Sequence, residues 1–147
     1  MIDIKRMQAE HCRSVAELEA ACFSLPWSEK SICSELDNPL SLWLVAISDE
    51  KVVGYVGSQS VMDEADMMNL AVDPAYRRRG IGKRLVEMLV ANLKEKQVRC
   101  LTLEVRISNS SAIALYKDMG FLEVGRRPRY YQRPIEDALI LRKEWAI

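Results

Sequence analysis

The sequence predicts one α+β domain, residues 1–147, built on a mixed central sheet of about six to seven strands flanked by about four helices. Three observations predict it. Two helical stretches precede a run of strands linked closely enough to pair as hairpins. A strand, a long amphipathic helix and a second strand then follow, the pattern of a parallel crossover. No repeat, low-complexity tract or linker divides the chain, and 147 residues suit a single sizeable core.

The elements can be justified in order. Ile2-Asp3-Ile4-Lys5 alternates as a short strand. Cys12, Val15, Leu18 and Cys22 recur at helical spacing, so a first helix ends near Phe23. Leu25-Pro26 interrupts it, Ser28 caps a second short helix carrying Ile32, Cys33 and Leu36, and Asn38-Pro39 closes that one. Leu42–Ile47 and Val52–Val61 read as strands joined by a turn at Ser48-Asp49-Glu50-Lys51, and Met67–Val72 as a third after Met62-Asp63-Glu64-Ala65. Asp73-Pro74 stops that strand. Ile81, Leu85, Met88, Leu89 and Leu93 then trace the apolar face of a long helix, and Cys100–Val105 is the next strand. A helix over about Ser110–Met119 ends at Gly120, and Phe121–Val124 and Ala138–Leu141 close the sheet.

Composition excludes several functions. Lysine plus arginine and aspartate plus glutamate both number 21, so the net charge is zero, which argues against a general polyanion binder. The start Met1-Ile2-Asp3-Ile4 carries no secretory pattern, and no run is long enough to span a bilayer, so a cytoplasmic protein without membrane attachment is expected. Cys12, Cys22, Cys33 and Cys100 form no Cys-x-x-Cys pair, and His11 is the only histidine. Reduced, mostly buried thiols and no metal are therefore expected.

Val72-Asp73-Pro74-Ala75-Tyr76-Arg77-Arg78-Arg79-Gly80-Ile81-Gly82-Lys83 is the most informative segment. A strand ends, a glycine-containing turn follows and a helix begins. The first amides of a helix lack intrahelical partners and sit at the positive end of its dipole. Gly80 and Gly82 let an anion approach them, so the loop suits a phosphate or pyrophosphate. Gly82-Lys83-Arg84 is not a P-loop, and Leu85 stands where a dinucleotide fingerprint has its third glycine.

Arg77-x-x-Gly80-x-Gly82 resembles the pyrophosphate loop of the Gcn5-related N-acetyltransferases, the GNAT superfamily. Asn109-Ser110-Ser111-Ala112-Ile113-Ala114-Leu115-Tyr116-Lys117-Asp118-Met119-Gly120-Phe121 is similar to that family's second signature, in the right order and one helix and one strand further on. The resemblance implies the GNAT fold and acetyl-CoA as cosubstrate. It implies that the loop from Arg77 grips the pyrophosphate through the amides of Arg78, Arg79, Gly80, Ile81, Gly82 and Lys83. Leu70, Ala71 and Val72 would offer main-chain groups to the pantetheine arm and thioester, and Asn109 would bind the cofactor further along. Fixed amide donors suit a carbonyl oxygen that gains charge during attack.

Joining an amine to a thioester acyl group requires a base for the amine, cationic below a pKa of about 7.7–8.0, and an acid for the leaving thiolate. Glu104, at the end of Cys100-Leu101-Thr102-Leu103, is the candidate base, and Tyr116 on the following helix the candidate acid. Both match the strand glutamate and helix tyrosine of the bacterial ribosomal-protein-alanine acetyltransferases (RimI-like enzymes). Without the motifs the same residues read as a solvated strand end and a core tyrosine, and Tyr116 could also serve only to position the cofactor.

The RimI-like resemblance covers nearly the whole chain: Phe23-Ser24-Leu25-Pro26-Trp27-Ser28, Asn69-Leu70-Ala71-Val72-Asp73-Pro74, Leu103-Glu104-Val105-Arg106, Arg129-Tyr130-Tyr131 and Glu136-Asp137-Ala138. It implies a monomer that acetylates a protein N-terminus, the N-terminal alanine of small-subunit ribosomal protein eighteen. Tyr130 and Tyr131 are candidate walls of the acceptor groove, Glu136 a candidate attractor for a cationic acceptor, and Trp27 more simply packing. Two rivals remain. A lysine or small-amine acetyltransferase would keep the cofactor residues and differ in the groove. An RNA-binding module would use Arg77, Arg78, Arg79, Lys83 and Arg84 with Arg126, Arg127, Arg129 and Arg133 around the tyrosines, against which the zero net charge argues, so no direct nucleic-acid role is expected.

Overall fold

Apolar runs bounded by turn residues place strands at Asp3–Arg6 (β1), Ser41–Ser48 (β2), Lys51–Val61 (β3), Glu64–Val72 (β4), Cys100–Arg106 (β5), Leu122–Tyr131 (β6) and Glu136–Glu144 (β7). Helices occupy Cys12–Cys22 (α1), Glu29–Ser34 (α2), Ile81–Glu95 (α3) and Ser110–Asp118 (α4). The chain is a computed structural model that describes residues 1–146. Its strands form one sheet in the order β1-β2-β3-β4-β5-β7-β6. All neighbours are antiparallel except β4 and β5, which run parallel across the α3 crossover. The expected α+β class and mixed sheet are both found.

Both faces of the sheet are covered. On one, Leu85, Leu89 and Leu93 of α3 pack fully buried against Leu44, Val56, Leu101 and Leu103. Each such side chain contributes about 1.5–3 kcal/mol relative to exposure. Met88, expected on this stripe, is 41% exposed; Val86 and Val90 line the buried side in its place. On the other face, Val15 and Leu18 of α1 and Ile32 of α2 pack on Trp43, Val45 and Tyr55. Ser28 caps α2 as expected, its hydroxyl accepting from the Ser31 amide at 3.1 Å. A Cβ on Gly57 would stand 2.4 Å from the Trp43 ring, so only glycine fits there.

Three strands run longer than the sequence suggests. β4 begins at Glu64 rather than Met67, and β6 and β7 continue far beyond Phe121–Val124 and Ala138–Leu141. The cause is position. β6 is an edge strand, exposed along almost its whole length, so it shows no apolar alternation and tolerates Pro128 and a row of arginines. Cys12 and Cys100 are buried free thiols, Cys22 and Cys33 partly buried ones.

Candidate active site

The site lies where β4 and β5 part. They pair in parallel only at Glu64–Cys100, Ala65–Leu101 and Asp66–Thr102, although β4 continues to Val72 and β5 to Arg106. Met68 is an extra residue in β4: Gly57 pairs with Asn69 and Ser58 with Met67, leaving a bulge between them. Past it, Leu70, Ala71 and Val72 pair with Val56, Tyr55 and Gly54 of β3 and with no residue of β5. An open seam with unpaired main-chain groups on its β4 edge results, which is where pantetheine was expected.

The bulge is pinned by a carboxylate that the sequence reading missed. Glu19 of α1 is 1% exposed, and it accepts hydrogen bonds from the Tyr55 hydroxyl, from Asn69 Nδ2 at 2.8 and 2.9 Å, and from the Trp27 amide at 3.0 Å. One buried group thus ties α1, the loop before α2, β3 and β4 together. Burial, and then the Glu19 carboxylate, push the Tyr55 phenol far above its usual value. A glutamate among the apolar positions of an amphipathic helix was the only available signal.

Gly80, at φ +76°, opens α3 in a left-handed conformation, and no side chain caps the helix. Its first amides are left free, as an anion site requires. Arg78 is also left-handed, at φ +64°. The arginines are arranged individually. Arg77 Nε donates to the Val72 carbonyl at 3.1 Å and bends back toward Cys22; Arg79 lies over the Tyr76 ring at 5.0 Å; Lys83 stands 3.9 Å from Asp118. The residues therefore fit a pyrophosphate through backbone amides. Asn109 caps α4, accepting from the Ala112 amide at 3.2 Å.

Glu104 and Tyr116 approach the seam from opposite faces. Leu101, Leu103 and Val105 are buried under α3 and α4, so by alternation Thr102, Glu104 and Arg106 face the α1 side. Tyr116 is buried on the α3 side, edge-on to Phe121 at 5.5 Å, its hydroxyl 3.8 Å from Met67 Sδ. Burial, and secondarily Tyr131, raise its phenol pKa well above the usual value, so it stays protonated at neutral pH.

Register assembles the rest. Glu104 lies opposite Ile140, which lies opposite Gly125; Arg106 lies opposite Ala138, which lies opposite Arg127; Tyr131 lies opposite Glu136. Directly opposed residues share a face, so one surface carries Glu104, Arg106, Arg127, Tyr131 and Glu136. Arg127 Nε stands 3.2 Å from Glu104 Oε2, but the pair is not aligned, and that buried oxygen accepts no hydrogen bond. Arg106 lies over the Tyr131 ring at 4.5 Å and donates to the Gln132 and Pro134 carbonyls. Tyr130 and Tyr131 meet edge to face at 5.0 Å. Burial first and the Glu104 carboxylate second push the Tyr131 phenol up to about 12. Glu136 is engaged by Ser108 at 2.8 Å and Arg106 at 3.9 Å, so it meets a cation of its own. A cavity of about 220 Å³ beside Glu35 and Trp43 shares no residue with this surface.

The acetyltransferase (GNAT) family model matches residues 12–121. The chain belongs to the GNAT acetyltransferase family. It is an N-acetyltransferase that uses acetyl-CoA. The ribosomal protein bS18-alanine N-acetyltransferase of Salmonella typhimurium is 41% identical over 128 residues, 85% of each chain. The crystal structure of the ribosomal-protein-S18-alanine N-acetyltransferase from Escherichia coli superposes with a TM-score of 0.92 at 35% identity, covering 100% of this chain and 96% of that one. The NatC complex bound to Gag peptide and CoA contains a chain that matches with a TM-score of 0.86 at 25% identity, with 99% of each covered. The expected family, fold and cosubstrate are all found. Among the described residues no helix is long and apolar enough to cross a membrane.

Proposed function

We propose that this chain acetylates the α-amine of the N-terminal alanine of ribosomal protein bS18, the reaction named for its Salmonella and Escherichia coli relatives. The observation that carries the reading is the surface around Glu104. A carboxylate with one buried, unsatisfied oxygen stands beside two tyrosines at the seam where β4 and β5 separate. In this reading acetyl-CoA supplies an activated acetyl group and a thiolate leaving group. Glu104 takes the proton of the incoming ammonium at its carboxylate, directly or through a water. Tyr116, protonated at neutral pH as a phenol is, gives its proton to the departing sulfur, and the second proton shed by the nitrogen restores it. Tyr130 and Tyr131 line the path of an extended N-terminus, and the free amides at the start of α3 hold the pyrophosphate, with Leu70, Ala71 and Val72 along the pantetheine arm. The enzyme acts as a monomer in the cytoplasm.

The test is acetyl transfer to two peptides carrying the acceptor's N-terminal sequence. One has a free α-amine; the other is blocked there and carries a free lysine. Intact mass locates the acetyl group. Transfer to the free α-amine alone, lost in Glu104→Gln, is expected. Transfer to the lysine alone would overturn the choice of acceptor while leaving the family assignment standing.

A further inference from the structure

We propose that Arg127 is a resident counter-ion on Glu104 that the acceptor's ammonium replaces on binding and that returns when the product leaves. The inference rests on the reading of Glu104 as the group that receives the amine.

The cations on this surface are not equivalent. Arg106 is two residues from Glu104 on the same strand and face, yet it is committed elsewhere. Its guanidinium donates to Gln132 O at 2.8 Å and Pro134 O at 3.0 Å, stands 3.9 Å from Glu136, and covers the Tyr131 ring. Arg126 faces Asp137 at 3.9 Å. Among the described residues Arg127 has only the unaligned contact to Glu104 and the Tyr130 ring at 5.4 Å, and its side chain is 58% exposed. Exposed pairs of this kind are weak and exchange readily.

The place its guanidinium occupies is suited to another cation. The Glu104 carboxylate lies 3.2 Å from it and the Tyr130 ring 5.4 Å from it, a surround that attracts positive charge. Glu104 Oε2 is buried and receives no aligned donor from Arg127. A compact ammonium has three rotatable donors and can meet a lone pair that a planar guanidinium reaching across β7 from β6 misses. Acetylation then removes the charge. The neutral amide no longer competes with Arg127, so the guanidinium returns to Glu104 as the product leaves.

The experiment measures peptide binding to the enzyme loaded with coenzyme A lacking its acetyl group, so that no turnover intervenes. The free-amine peptide and its N-terminally acetylated twin are each titrated against wild type, Arg127→Ala, Arg126→Ala, Glu104→Gln and the Glu104→Gln/Arg127→Ala double variant. Arg127→Ala is expected to tighten the free-amine peptide roughly two- to fivefold and to leave the acetylated peptide unchanged. The gain disappears when Arg127→Ala is added to Glu104→Gln, and Arg126→Ala changes neither peptide. Weaker binding of both peptides in Arg127→Ala would overturn the inference by making Arg127 a grip on the acceptor backbone. Equal tightening of both, or no change, would overturn it as well. Full turnover by Glu104→Gln would instead sink the base reading alone, because the binding exchange is read without chemistry.

Discussion

The loop that enters α3 and the hairpin of β6 and β7 flank the same seam, and they are built from different materials. The loop presents backbone: uncapped amides, left-handed residues at Arg78 and Gly80, and arginines that mostly brace the turn itself. The hairpin presents side chains: tyrosines edge to face, and Arg126 and Arg127 set against Asp137 and Glu104. Backbone recognition demands glycines at fixed spacing, so it leaves a short and readable motif. Side-chain recognition demands only that charges and rings meet in space, so it can vary along an exposed edge strand without disturbing the fold. The difference suits the ligands proposed for them, one common to a whole family and one particular to each enzyme.

Substitutions can break that division. The largest effect is expected at the seam itself: Glu104→Gln should lower kcat about 10²- to 10⁴-fold in steady-state assays while the acetyl-CoA KM stays near wild type. Next comes the brace behind the β4 bulge. Glu19→Ala strands the Tyr55 hydroxyl, the Asn69 amide and the Trp27 N–H, and should cost about 2–4 kcal/mol in urea unfolding, whereas Glu19→Gln keeps an acceptor and costs less. On the loop side, Gly80→Val forces a β-branched residue to φ +76°, a strain of about 1–2 kcal/mol. It should raise the acetyl-CoA KM by roughly tenfold and leave the peptide KM alone. A comparable rise in the peptide KM would show that the two sides are not separable.

The smallest effect is one of pH. Tyr55, Tyr116 and Tyr131 all hold their protons above the ordinary phenol value, chiefly because they are buried. In the unfolded chain they titrate near a pKa of about 10. The stability associated with their burial is therefore complete below about pH 10 and declines as pH rises toward the raised folded values, because only the unfolded state then releases protons. Thermal melts should be level up to about pH 10 and fall above it, and Tyr55→Phe should soften the fall. A melting curve unchanged by alkali would contradict the burial of these groups.

Particular residues show why some of this was legible and some was not. The α3 stripe, the Ser28 cap and the two family motifs are local patterns, set by helical period, capping chemistry and turn geometry, and they appear where expected. Met88 was misplaced because Val86 and Val90 offered an equally good apolar face. The length of β6 was underestimated because an edge strand needs no alternation. Glu19 was overlooked because a lone carboxylate in a helix normally faces water, and its partners Tyr55 and Asn69 lie 36 and 50 residues away.

By itself the sequence determined the family, because its two motifs rest on spacing within one or two adjacent elements, and through that resemblance it offered the cosubstrate loop and the candidate pair Glu104 and Tyr116. Only the tertiary structure decided that these two approach the seam from opposite faces of the sheet, that β4 bulges at Met68 and leaves β5, and that Arg127 rather than the nearer Arg106 meets Glu104. Those outcomes depend on strand register and on competition among charges for partners. Both are set across strands, between residues far apart in the chain, where no local pattern can encode them.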